Sequence, residues 1–182
     1  MGRHRAASAA VIDSSCLICL LHLDTSLDLQ LIRSLVVRYE AVYIPAYVLE
    51  EVGRKGKTRH GLQRLLQRYS FLKRCTVGDE YTARLLYDLR LSPEARIHRG
   101  EAEVITQARE LMVEEVLMDD RRGRRIAQRH GLRVRGILSL LKDFKRIDII
   151  PAVRPLIQKL RDDGKCRMTA TLLKQELEEI GE

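Results

Sequence analysis

Short apolar runs that close on an acid or a proline, each followed by a stretch of helical periodicity, recur along the chain. Residues 9–12 are apolar and end at Asp13, and Ser14 and Ser15 offer caps for a helix through residues 17–23. Leu27, Leu31, Leu35 and Val36 keep helical spacing and predict a second helix over residues 27–39. Residues 41–44 form a β-branched run halted by Pro45, which suits the first turn of a helix holding Val48, Glu50, Glu51 and Val52. Gly53 and Gly56 then loosen the chain before residues 62–69, and residues 71–77 read as a strand.

The second half repeats the theme. Residues 80–89 predict an amphipathic helix, and residues 91–99, with Ser92-Pro93 and no periodicity, a loop. A helix over 101–111 leads to an apolar strand over 115–118 that ends in Asp119-Asp120. A helix over 121–130 stops at Gly131, before a strand over 132–134 and a helix from Ile137. Residues 151–161 and 170–180 predict two last helices joined by Asp162-Asp163-Gly164. Strands alternating with helices imply an α/β fold on a mostly parallel sheet. Without an internal repeat or a long polar linker, residues 1–182 read as one domain, with a core over about 8–150 and a helical extension over about 151–182.

Composition adds two constraints. Aromatic residues make up 4% and Trp is absent, so Leu, Val, Ile and Ala must build the core, as in helices packed on a parallel sheet. The formal charge of +8 attracts a polyanion, and nucleic acid is the natural candidate. Basic residues crowd segments 54–74 and 121–135, although a charge run alone reads more simply as a solvated helix face. Residues 11–23, broken by Asp13 and His22, are too short and polar to span a bilayer, and Asp13 interrupts any signal-peptide core. The expectation is a cytoplasmic protein with no membrane association. Cys16 and Cys19 form a Cys-x-x-Cys pair, but no second close pair of Cys or His completes a zinc set, so they read as reduced core residues.

In a parallel α/β sheet, ligands bind outside the carboxyl ends of the strands. The residues at those positions are acidic: Asp13 after the first strand, Glu50 and Glu51 on the helix after the second, and Asp119 and Asp120 after the strand over 115–118. Glu101 and Glu103 begin the helix that feeds that strand. Any one of them could be a helix cap or a first-turn acid. Gathered at one edge, they would raise each other's pKa unless a hard cation such as Mg²⁺ or Mn²⁺ compensated them.

Four segments carry a resemblance. Val11-Ile-Asp-Ser-Ser-Cys-Leu-Ile, Val42-Tyr-Ile-Pro-Ala-Tyr-Val-Leu-Glu-Glu-Val, Arg99-Gly-Glu-Ala-Glu-Val-Ile and Leu117-Met-Asp-Asp-Arg-Arg-Gly-Arg-Arg-Ile-Ala resemble, in order and spacing, the successive motifs of PIN domains. The later segments starting at Gly131 and Ile150, with the final Gly-Glu, are similar to a PIN branch that itself resembles VapC-type toxin ribonucleases. The resemblance implies a three-layer α/β/α fold with extra C-terminal helices. It also implies that Asp13, Glu51, Glu101 and Asp119 or Asp120 are catalytic and hold Mg²⁺ or Mn²⁺, with Glu50 the weaker match and Ser15 orienting the site. The chain departs from the family pattern in its third acid, Glu101 where Asp is commoner, and in Met-Asp-Asp where many toxins have Thr-x-Asp.

The reading that follows is a metal-dependent endoribonuclease, with Arg121 and Arg125, one helical turn apart, on the RNA backbone and the segment 54–57 in support. Two rivals stay open: a non-catalytic RNA- or protein-binding module, and a structure-specific DNA nuclease. The toxin resemblance further implies a small antitoxin partner and a homodimer.

Overall fold

Strands form where the apolar runs lie. The structure is a computed structural model that describes residues 7–54, 58–78, 97–166 and 168–182. β1 (Ala7–Ile12), β2 (Tyr39–Pro45), β3 (Leu72–Cys75), β4 (Glu115–Leu117) and β5 (Arg133–Arg135) make one five-stranded sheet in the order β3-β2-β1-β4-β5. Every pairing is parallel, with Val11 opposite both Tyr43 and Val116. The sheet is covered on both faces, which is why Ala10, Val11 and Ile12 can be apolar in sequence and all buried.

The described helices are α1 (Ser14–Leu27), α2 (Leu31–Ser34), α3 (Ala46–Arg54), α4 (Thr58–Arg68), α5 (Arg99–Glu110), α6 (Arg121–Arg129), α7 (Ile137–Arg146), α8 (Arg154–Asp162) and α9 (Ala170–Glu178). Together with the sheet they form a three-layer α/β/α fold. α5 packs across β1, β2 and β4, and its residues from Gly100 to Ala108 are buried on every side. α1 packs against α7 and α8. The C-terminal helices are not peripheral: Leu156, Ile157 and Leu160 of α8 and Leu173 and Leu177 of α9 belong to the same apolar cluster as β1.

The structure corrects three local expectations. No single helix spans residues 27–39, because Leu27 ends α1 and Asp28 follows it in the left-handed region at φ 52°. α2 then starts afresh, its Leu31 and Ile32 amides donating to the Asp24 carboxylate at 2.7 and 3.1 Å. A 3₁₀ turn over Leu35–Val37 leads into β2, which already begins at Tyr39. Pro45 closes β2 opposite Cys75 instead of opening α3. Asp13, not Ser14 or Ser15, caps α1. The helix expected over 80–89 and most of the loop expected over 91–99 lie outside the described residues. Among the described residues, no helix is long and apolar enough to cross a membrane.

At the amino edge of the sheet a charged knot joins β2, β4, β5 and α7. Glu115, 3% exposed, accepts the Tyr39 hydroxyl at 2.8 Å and the Arg135 Nε at 3.4 Å. Arg135 also pairs with Asp143 at 2.7 Å, and Arg38 approaches Glu115 and Asp143 at 3.7 and 3.5 Å. Removing one donor from a buried carboxylate leaves it partly unsatisfied. Tyr39→Phe is therefore expected to lower unfolding stability by about 1–3 kcal/mol, seen as a lower urea midpoint at unchanged slope. An unchanged midpoint would mean that the Tyr39 hydroxyl contributes nothing to the knot.

Candidate active site

β1 and β4 lie side by side, but the chain leaves β1 toward β2 and leaves β4 toward β5, on opposite sides. Such a switch of direction opens a crevice at the carboxyl ends of the two strands. Ile12 is in register with Leu117, and the Asp13 amide donates to the Leu117 carbonyl at 2.8 Å. Asp13 and the Met118-Asp119-Asp120 segment therefore emerge at the same edge.

Asp13 is 3% exposed and caps α1. Its Oδ2 accepts from the Ser15 Oγ at 2.7 Å and the Ser15 amide at 3.2 Å. Burial raises its pKa, the Ser15 and Ser14 donors oppose the rise, and the charge of Glu51 adds to it. Ser15 also accepts the Asp119 amide at 3.2 Å, so this hydroxyl bridges the two strand ends.

Glu101 is 6% exposed in the first turn of α5, where its Oε2 accepts the His98 amide at 2.9 Å. Gly123 on α6 lets it sit there: a Cβ at that position would lie 3.2 Å from Glu101 Cγ and 2.5 Å from Met118 Sδ. Burial pushes the Glu101 carboxyl up to about 8, with the charges of Asp120, Asp13 and Glu51 adding to the rise. Asp120 caps α6, accepting from the Arg122 and Gly123 amides at 2.8 and 2.9 Å. Glu51, half-buried on α3, sets its Oε2 against Gly100, 3.3 Å from where a Cβ would stand. Four of the expected acids, Asp13, Glu51, Glu101 and Asp120, thus form one electrostatically coupled group. Among the described residues, however, no three His, Cys, Asp or Glu side chains converge closely enough to ligate one ion as they stand.

Two other acids face elsewhere. Asp119 accepts the Ile137 amide on both oxygens, at 3.0 and 3.2 Å, and the Cys16 thiol at 3.2 Å. Burial raises its pKa, against the Cys16 and Ile137 hydrogen bonds and the nearby charge of Arg124. Glu50 is exposed and lies 3.8 Å from Arg54. Arg121 and Arg125 line a cleft that also contains Asp119 and Arg124. Cys16 and Cys19 are free and buried. The reading of the chain missed Cys16 as a donor to Asp119, and it missed Tyr47, whose ring lies beside Gly100 and under the Arg99 guanidinium at 4.9 Å. It also missed the close approaches at Gly123 and Gly136; the isolated glycines among Arg residues were the signal available.

A five-stranded parallel sheet with acids gathered at its switch point has the architecture of a nuclease-type domain. The model of a family described as a PIN domain matches residues 9–182, and the chain belongs to that family. No curated protein matches it significantly.

The position of Glu101 makes stability depend on pH. Its carboxyl titrates near 8 in the folded chain, against an ordinary value of 4.5. Between those two values the folded state holds a proton that the unfolded state has released, so stability falls as pH rises through that window and the penalty is complete above it. In EDTA, Glu101→Gln is expected to raise the melting temperature clearly at about pH 8.5 and very little at about pH 5. An equal gain at both would show that Glu101 is not titrating in this range.

Proposed function

We propose that the protein is a divalent-metal-dependent ribonuclease whose site is the group Asp13, Glu51, Glu101 and Asp120. The observation that carries this reading is the gathering of Asp13, Glu51, Glu101 and Asp120 at the switch point, where burial first and then the charges of the other three raise the Glu101 carboxyl. The donor set is entirely oxygen, which suits Mg²⁺ or Mn²⁺. When bound, such an ion supplies charge to phosphoryl oxygens and lowers the pKa of water. Ser15 keeps Asp13 oriented through its 2.7 Å hydrogen bond. Asp120 is preferred to Asp119 because the Asp119 oxygens are already engaged by Ile137 and Cys16. Arg121 and Arg125 would take the RNA backbone, and the net charge of +8 draws the polyanion in.

One observation favours a second reading, a PIN scaffold that binds nucleic acid without cutting it: the acids do not converge into a ligating set. The two readings part on cleavage of labelled RNA and flap DNA with Mn²⁺, Mg²⁺ or EDTA, run beside Asp13→Asn. The ribonuclease reading expects metal-dependent cutting of RNA that falls about 100-fold or more in the variant. The fold should be kept and its stability equal or higher, since Asn caps a helix as well as Asp and removes a carboxyl whose pKa burial raises. Binding without cutting would establish the second reading, and cutting of the flap alone would make the enzyme a DNA nuclease.

A separate expectation concerns binding alone. Arg121→Gln and Arg125→Gln should each lower the slope of log affinity against log salt by about 1. An unchanged slope would remove these side chains from the backbone contact.

A further inference from the structure

The carboxyl ends of β4 and β5 open onto a second cleft, beside the carboxylate group, of about 670 Å³. Arg121, Arg124 and Arg125 of α6 form one wall, Ser139 of α7 and Thr169 stand among the other lining residues, and Asp119 contributes its carboxylate. Three features suit it to an anion. First, the acids of its lining are already engaged: Asp119 accepts from Ile137 and Cys16, and Glu176 holds Lys142 Nζ at 2.8 Å. Second, Arg121, Arg124 and Arg125 are spaced to share one helix face; Arg121 and Arg125 have no ion pair among the described residues, and Arg124 has only the nearby, already engaged Asp119 carboxylate. Like charges at that spacing destabilise a helix unless an anion answers them. Third, the backbone makes room for them. A Cβ at Gly136 would stand 2.6 Å from Arg124 Nη1 and overlap Asp119 Oδ1, which the Ile137 amide pins, so glycine lets the Asp119 carboxylate keep its place at the mouth of α7. The first-turn amides of Leu138 and Ser139, two residues of the lining, have no acceptor among the described residues.

We propose that this cleft is a phosphate-binding site, separate from the carboxylate group, that grips one phosphate of a nucleic-acid strand. Its volume falls in the range of sites that take a nucleotide-sized ligand, and planar guanidinium forks match phosphate oxygens in pairs. The inference deepens the nuclease reading and rests on it only for the identity of the polyanion; phosphate binding does not require cleavage. The phosphate can come from two sources: a terminal monoester, or a diester inside a strand that crosses the sheet edge.

The test is titration calorimetry in EDTA, where no cleavage can occur, with inorganic phosphate and with one short RNA carrying either a 5′-phosphate or a 5′-hydroxyl. The wild-type protein should bind phosphate saturably, and Arg121→Gln/Arg125→Gln should weaken that binding about tenfold or more. Arg124→Gln should do the same. Arg109→Gln/Arg129→Gln removes the same charge outside the cleft and should change affinity by less than about twofold. Tighter binding of the 5′-phosphorylated RNA identifies the terminal monoester, and equal binding of the two RNAs, both weakened by the cleft variants, identifies the diester. Equal loss in the cleft and control variants, or no saturable binding of phosphate or RNA by the wild type, overturns the proposal. A failure of the nuclease reading would appear instead as absent cleavage in Mg²⁺ and Mn²⁺ with phosphate binding intact.

Discussion

Asp119 ties three elements together at one point. Its oxygens take the first amide of α7 and the Cys16 thiol of α1, and its own amide goes to Ser15. A buried carboxylate is costly without such donors, so β4, α1 and α7 are held in the one arrangement that satisfies it. Everything else at the carboxyl edge takes its position from that arrangement. Asp13 sits at the head of α1, Asp120 at the head of α6, and the arginine face of α6 turns toward the start of α7. The acid that the sequence leaves undecided against Asp120 as a ligand is thus the one that fixes where the others stand.

Helix capping and clustering are not alternatives in this fold: the same acids do both. Asp13 caps α1, Asp120 caps α6, and Glu101 accepts the His98 amide at the start of α5. Parallel strands that each lead into a helix place those helix starts at one sheet edge, so the acids that cap them are brought together. Their partial burial and mutual repulsion raise the pKa of Glu101, which no single cap would do.

Much of this was legible in the chain. The strands of the sheet follow its apolar runs, and the acids after them mark its carboxyl edge. Local periodicity failed where a distant group decided the outcome. Residues 27–39 keep helical spacing, yet Asp24 of α1 caps a new helix at Leu31 and β2 claims Tyr39. Asp119 and Asp120 are adjacent and chemically identical, and only Ile137 and Cys16, remote in sequence, separate their roles. The two last helices read as an extension because their partners lie farther back in the chain: α1 for α8, and Lys142 of α7 for α9. The choice between Glu50 and Glu51 rests on helix geometry: neighbouring residues point about 100° apart, and only Glu51 turns toward Gly100.

Among the coupled acids Glu51 alone has no structural employment. It caps no helix, and it makes no hydrogen bond or ion pair among the described residues. Folding would preserve an acid or amide at positions 13 and 120 in a descendant that had lost its chemistry, and the His98 amide would favour an acceptor at 101. Position 51 is under no such pressure and would drift first. Across relatives of this chain, the residue at 51 is therefore the better marker of which still need the acidic site, whereas an acid at 13 records mainly that α1 still has to begin there.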